Sequence, residues 1–243
     1  MKDFNDFLQT HRAVLNKLTA FMLEYNKHTN LTRITEHSEI VEKHYIDSIL
    51  PLILLGSRQA DCSAAEPPTP PPLFSVPRGT SVLDVGSGAG FPGIPMKLFR
   101  PDLDVTLLDS STKRTAYLNA LLKEIQLDCR VITGRSEQLA HNSEHRERYR
   151  LVIARAVANL PALCEHCLPF VQVGGAFLAM KGGEPETAAA ANAMRLLGGE
   201  LEDVIAYTLP SGDKRSLVVI RKASQTSTAY PRKRVNITKA PIA

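Results

Sequence analysis

Apolar residues near the start of the chain recur at helical spacing. Phe7, Leu8, Val14, Leu15, Leu18 and Met22 follow a 3.6-residue period, which predicts a helix over residues 2–27. The polar stretch NKHTNLTRIT ends it. A second helix is expected from about Glu36 to Leu50, with Thr35 as N-cap and Glu36 and Glu39 near the positive end of the helix dipole. From Ser81 the pattern changes to short, continuous apolar runs at 81–85, 104–109, 129–133, 151–155, 176–181, 202–207 and 216–221. Helical patterns fill the gaps at 92–99, 112–126, 159–170 and 185–197. Strands that are apolar on both faces mark a parallel sheet covered by helices on each side. The last two runs are separated only by TLPSGDKR, too short for a crossover helix, so they should pair antiparallel. The expectation is an α/β fold: a mostly parallel seven-stranded sheet with a C-terminal antiparallel hairpin and an N-terminal helical extension.

Proline content divides the chain. Six prolines lie between Cys62 and Gly79, including PPTPPP, and such a segment forms neither helix nor central strand. It reads as an exposed linker, with a ligand for a proline-binding module as the alternative. Four regions result: a helical extension (1–60), a Pro-rich linker (61–79), the α/β domain (80–222) and a C-terminal tail (223–243).

Charge adds a second division, because the net +4 conceals an asymmetry. From Lys214 onward there are eight Lys or Arg and no Asp or Glu, leaving 21 basic against 25 acidic residues before it. A basic tail suits attraction to phosphate; a frayed, solvated end is the alternative. The start, MKDFNDFLQTHR, is polar, and no apolar run reaches the roughly 18 residues that span a bilayer, so no membrane contact and a cytoplasmic location are expected. Of Cys62, Cys129, Cys164 and Cys167, only CEHC has a suggestive spacing. It lacks a second ligand pair for zinc and sits within a helical pattern rather than opening one after a strand, so buried thiols and no metal are expected.

The densest chemical signal is VLDVGSGAGFPGIP at residues 82–95. Gly86, Gly88 and Gly90, with Ser87 between the first two, follow a strand and can bring backbone N–H groups against a ligand. The dinucleotide fingerprint requires a small residue where this chain has Phe91, which tells against a nicotinamide cofactor. Asp109 ends the next strand, where a carboxylate can accept both hydroxyls of a ribose; a strand-end turn residue is the alternative.

LDVGSGAGFPGIP, LLDSSTKR, GRSEQL, ARAVANLP and MKG, preceded by NLTRI and HYIDSIL, resemble the RsmG (GidB) family across most of residues 20–222. The resemblance implies a Rossmann-like class I methyltransferase fold that uses S-adenosylmethionine to methylate N7 of a guanine in 16S ribosomal RNA. The partner is then 16S rRNA or the small ribosomal subunit, and a monomer is expected. By position, the family's cofactor contacts fall on Gly86, Phe91, Ser136, Glu137 and Arg155, with Ser87, Gly88 and Gly90 completing the loop and Asp109 holding the ribose by fold analogy. Ser136 and Glu137 could instead be a helix cap. The Pro-rich stretch is longer than is usual in the family, and PRKRVNITKAPIA only loosely resembles its basic ending.

The absent motifs constrain the chemistry. Where enzymes acting on exocyclic amines carry D/N-P-P-Y/F, this chain has ARAV, and neither Cys164 nor Cys167 ends a strand as a nucleophile for pyrimidine carbon would. Guanine N7 has an in-plane lone pair and loses no proton, so positioning and electrostatics suffice, without a general base. Arg155 ends the fourth strand and Arg135 follows the third; His44 and Asp47 lie three apart on one helix face, and the resemblance places them near the site, so these four are the candidate positioning residues. A structural ion pair for Arg155 and an unrelated surface pair for His44 and Asp47 are the alternatives. Two other functions stay open: a non-catalytic module binding S-adenosylmethionine or RNA, and a nicotinamide-dependent oxidoreductase.

Overall fold

The computed structural model describes residues 2–61, 75–155 and 158–242. The first predicted helix is broken at His11 into α1 (Lys2–Thr10) and α2 (Arg12–Thr29), and Asn30 closes α2 in the left-handed conformation at φ 47°. The second begins later than its pattern indicated. After α3 (His37–Glu39) comes a π-wound segment, Ile40–Ile46, and then α4 (Asp47–Asp61). Glu36, not Thr35, precedes the first turn, and no side chain caps it. Helix α4 runs past Leu50 with Pro51 inside it, although proline supplies no N–H to the ladder. The π turn ahead of it has already shifted that ladder, since the Asp47 amide donates to the carbonyl of Glu42.

The sheet contains β1 (Ser81–Val85), β2 (Asp104–Asp109), β3 (Arg130–Thr133), β4 (Tyr149–Arg155), β5 (Val171–Gly182), β6 (Gly199–Thr208) and β7 (Lys214–Lys222). Its order is β3-β2-β1-β4-β5-β7-β6, and β7 runs antiparallel to both neighbours. The expected terminal hairpin is present. Unforeseen is that its second strand slots between β5 and β6. With no helix in the connection, β7 must return beside β6, and the crossover through α9 (Thr187–Leu196) has left that place next to β5.

Side chains alternate between two cores. Val82, Leu107, Ile153 and Leu178 face a layer holding α5 (Gly93–Phe99) and α6 (Thr112–Ile125), while Leu83, Leu108, Val152 and Ala179 face α8 (Leu160–Cys167) and α9. Helix α6 shows why these segments are helical: Ser111 caps its start, and Tyr117, Leu118, Leu121, Leu122 and Ile125 form one buried stripe. Leu18, Met22, Tyr45 and Ile49 belong to the first core, so the N-terminal helices pack directly on the α5 and α6 side. Each fully buried Leu or Ile there contributes about 1.5–3 kcal/mol.

Residues 62–74, which hold PPTPPP and Cys62, lie outside the described residues. The described end of the proposed linker is tied to the body: Arg100 donates to the carbonyls of Val76 and Pro77, and the Gly79 amide to Asp102. The tail corrects a simple reading as a solvated end. It carries α10 (Arg234–Lys239), and Ile237 and Ile242 are buried.

Candidate functional site

The glycine loop leaves β1 with Gly86, Gly88 and Gly90 at φ 79°, 57° and 97°, a region that residues with a Cβ rarely adopt. At Gly90 a Cβ would also stand 2.4 Å from Cδ1 of Ile94. The neighbouring strand holds the loop open: the amides of Gly86 and Ser87 donate to the Leu108 carbonyl at 2.8 and 3.1 Å, and that of Gly88 to Asp109 Oδ2 at 3.0 Å. Asp109 Oδ1 accepts from the Ser111 amide at 2.9 Å. Arg114 Nη1 stands 3.6 Å from Oδ2; a carboxylate has about four lone-pair sites, so beyond the two amides acceptor capacity remains for a ligand beside that guanidinium. The Ser87 hydroxyl is spent on the Asp84 carbonyl, at 2.9 Å.

Asp84 lies fully buried near the end of β1. Its Oδ2 accepts from the Gly93 amide at 2.9 Å, and Oδ1 has no hydrogen-bond partner among the described residues. Burial pushes its carboxyl up to about 7.

Two cavities meet at Gly86. One, of about 490 Å³, is lined by Asp109, Arg135, Ser136, Glu137 and His166 among others. Ser136 opens the short helix α7 (Ser136–Leu139), and its hydroxyl lies 2.8 Å from His166 Nδ1. The other, of about 470 Å³, is lined by His44, Asp47, Phe91, Arg155, Lys181 and Arg215, together with the loop.

Arg155 organises this second cavity. Its side chain, 15% exposed, donates from Nη1 to the Lys43 carbonyl at 2.8 Å and to Asp47 Oδ2 at 3.3 Å, and from Nη2 to His44 Nδ1 at 3.3 Å. Because the π turn gives the Asp47 amide to Glu42, the Lys43 carbonyl is available to receive Arg155. Arg155 also stands 5.7 Å from the centroid of Phe91, within cation–π range. Asp47 Oδ1 accepts from the Tyr207 hydroxyl at 2.9 Å, and Arg215 Nε lies 3.9 Å from Oδ2.

Since Nδ1 of His44 accepts from an arginine, its proton must sit on Nε2, which faces the Thr32 hydroxyl at 3.0 Å. Burial and then the Arg155 charge push its pKa down to about 3, so His44 is neutral at physiological pH. The ring stacks on Phe91 at 4.4 Å and 8°.

The predicted site residues are thus divided. Gly86, Asp109, Arg135, Ser136 and Glu137 gather at one cavity, and Ser87, Gly88, Phe91, His44, Asp47 and Arg155 at the other, with Gly86 common to both. Gly90 serves the turn behind the loop. Arg135 does not join Arg155. It is 48% exposed beside Glu137, at 3.9 Å, because β3 lies on the far side of β2 and β1 from β4.

Sequence reasoning missed His166, Tyr207 and Arg215. The signal for the first is CEHC, whose spacing draws attention to its cysteines rather than to the histidine between them. Cys164 and Cys167 are free and buried, and burial pushes the Cys164 thiol up to about 12. The working residues of that motif are Glu165, which holds Arg232, and His166. Among the described residues no cluster suited to a metal ion occurs, and no helix is long and apolar enough to cross a membrane.

A glycine loop at the end of β1, an acid at the end of β2, and an antiparallel β7 between β5 and β6 together define a Rossmann-like methyltransferase of class I. The family model for GidB, rRNA small subunit methyltransferase G, matches residues 72–229, and the chain belongs to that family. The ribosomal RNA small subunit methyltransferase G of Clostridium botulinum (strain ATCC 19397 / Type A) is 40% identical over 247 residues, covering 99% of this chain and 93% of that protein. That of Acetivibrio thermocellus is 42% identical over 222 residues, covering 90% and 84%. Among solved structures, a mutant of MtNAS superposes with a TM-score of 0.51 at 13% identity, over 88% of this chain and 74% of that one. This last likeness concerns the fold alone.

Proposed function

We propose that this chain transfers a methyl group from S-adenosylmethionine to N7 of a guanine in 16S ribosomal RNA, working as a monomer in the cytoplasm on the RNA or on a small-subunit particle. S-adenosylmethionine supplies an electrophilic methyl on a sulfonium centre. Its fit to these residues rests on two features: Asp109 keeps acceptor capacity for a ribose, and the glycine loop, whose Gly86 lines both cavities, offers close backbone approach.

The observation that carries the choice of acceptor is the proton inventory of the Arg155 cavity. His44 is neutral with both ring nitrogens engaged, and Asp47 is held by Arg155 and Tyr207. Among the described residues that line it, no side chain is poised to take a proton from a substrate, and N7, unlike an amine acceptor, has none to lose. What the cavity offers is an aromatic surface, Phe91 with His44 stacked on it, and three cations held in place by carboxylates, Arg155 by Asp47, Lys181 by Glu186 and Arg215 by Asp213, to orient a purine. The test is methyl transfer from labelled S-adenosylmethionine to 16S rRNA and to small subunits, with the product mapped by cleavage at N7-methylguanosine. Transfer to another atom, or none to either substrate, overturns the reading.

A further inference from the structure

The C-terminal segment is pinned to the body at several independent points. Arg232 grips the fully buried Glu165, with Nε 2.9 Å from Oε1, Nη2 2.7 Å from Oε2, and its backbone amide 2.6 Å from Oε1. Arg146 donates to the carbonyls of Thr226, Ser227 and Tyr230 at 2.6, 3.0 and 3.0 Å. Lys222, itself 0% exposed, bonds Glu147 at 3.2 Å, and the Thr226 amide donates to the same carboxylate at 2.7 Å. His141 reaches the Pro231 carbonyl at 2.9 Å, and Ile237 and Ile242 are buried.

Buried ion pairs contribute little net stability compared with apolar residues of similar volume. What these fix is position. They hold α10 so that Arg234 and Thr238, four residues apart and therefore on one helix face, line the same cavity as Asp109, Ser136 and Glu137. Both side chains are otherwise exposed. No other part of the proposed function uses them, and the tail's charge had pointed instead to RNA.

We infer that the C-terminal segment is the outer wall of the cofactor cavity, with Arg234 and Thr238 as further binding residues for the adenosine part of S-adenosylmethionine. This rests on the proposed function, which assigns that half of the cofactor to the Asp109 cavity. The chemistry is apt: a guanidinium can stack on adenine or donate to its ring nitrogens, and a threonine hydroxyl can accept from its amino group. Arg232 then acts as a positioning residue, through Glu165, and is not a free cation for phosphate.

The test uses the full chain with Arg234→Ala combined with Thr238→Val, both exposed positions whose change should leave the melting temperature near that of the wild type. Calorimetry is run with S-adenosylmethionine and with 5′-methylthioadenosine, which keeps the adenosine and lacks the amino-acid end. The Kd for both ligands should rise by the same factor, on the order of tenfold, while the salt slope of RNA binding stays as in the wild type. Unchanged affinity for both ligands overturns the inference. So does weaker RNA binding with cofactor affinity intact, which would return the segment to RNA docking. If the wild-type protein binds neither ligand, the proposed function falls and the inference with it.

Discussion

The cavity at Asp109 and the cavity at Arg155 share Gly86 and are of similar size, about 490 and 470 Å³, but they are assembled from different material. The first is built mainly from successive strand ends, and backbone amides do much of the work: Gly88 and Ser111 both donate to Asp109. The second is built from side chains far apart in the chain, His44 and Asp47 before the sheet, Arg155 at its centre and Tyr207 and Arg215 on the last strands, joined through buried charge. A change at the first should therefore alter binding more than folding. At the second it should alter folding as well, because a partner removed there leaves a desolvated charge behind.

The largest expected effect follows from that. Asp47→Ala strands Arg155 and should cost about 3–5 kcal/mol in urea unfolding, along with methyl transfer. Replacing both, Asp47→Leu with Arg155→Met, should recover much of the stability and none of the activity. Recovery of neither would show that Tyr207 and Arg215 matter as much as the pair.

Next in size, Asp109→Ala should weaken S-adenosylmethionine by roughly 10- to 100-fold in calorimetry, the equivalent of one or two charge-assisted hydrogen bonds, with RNA affinity unchanged. A cofactor Kd within twofold of the wild type would remove Asp109 from the binding site.

A third test separates His44 of the Arg155 cavity from the buried Asp84 of β1 by pH. His44 has its folded pKa pushed down to about 3 from 6.5, so the unfolded chain takes up its proton first, and this group's contribution to stability is present above pH 6.5 and lost as pH falls toward 3. Asp84 is raised to about 7 from 3.8, so its contribution is present below pH 3.8 and lost as pH rises through 7. In cofactor-free protein, His44→Gln should flatten the acid limb of a stability profile and Asp84→Asn the limb approaching neutrality. Parallel profiles for the two variants would refute the assignment.

The smallest effect is expected at Cys164→Ala, about 1 kcal/mol of stability with cofactor affinity and methyl transfer at wild-type levels. A large loss of methyl transfer at unchanged stability would give the CEHC thiols a role that their burial argues against.

The amide-built half of the site was largely legible in the sequence. Gly86, Gly88 and Asp109 stand out because a left-handed loop needs glycine and a strand-end acid has few structural reasons to be there. In the other half, His44, Asp47 and Arg155 stand out in the sequence only as separate residues, on one helix face and at one strand end. That they form one network, completed by Tyr207, needed coordinates, since nothing in the spacing of residues 47, 155 and 207 pairs them. Arg135 lies in the Asp109 cavity and not beside Arg155 for the related reason that closeness to a strand end says nothing about which strand lies next to it.

By itself the sequence determined the strands, most of the helices, the parallel character of the sheet and the loop that a ligand approaches, because periodicity, glycine and capping residues act over a few neighbouring positions. Only the tertiary structure decided that β7 lies between β5 and β6, that a π turn aims Lys43, His44 and Asp47 at Arg155, and that the basic tail is pinned by Glu165 beside the Asp109 cavity. Periodicity reports which face of an element leaves water, but not what it meets there. The partner of a buried charge is set by whichever opposite charge the fold brings within a few ångströms, and that distance is a property of the packed molecule.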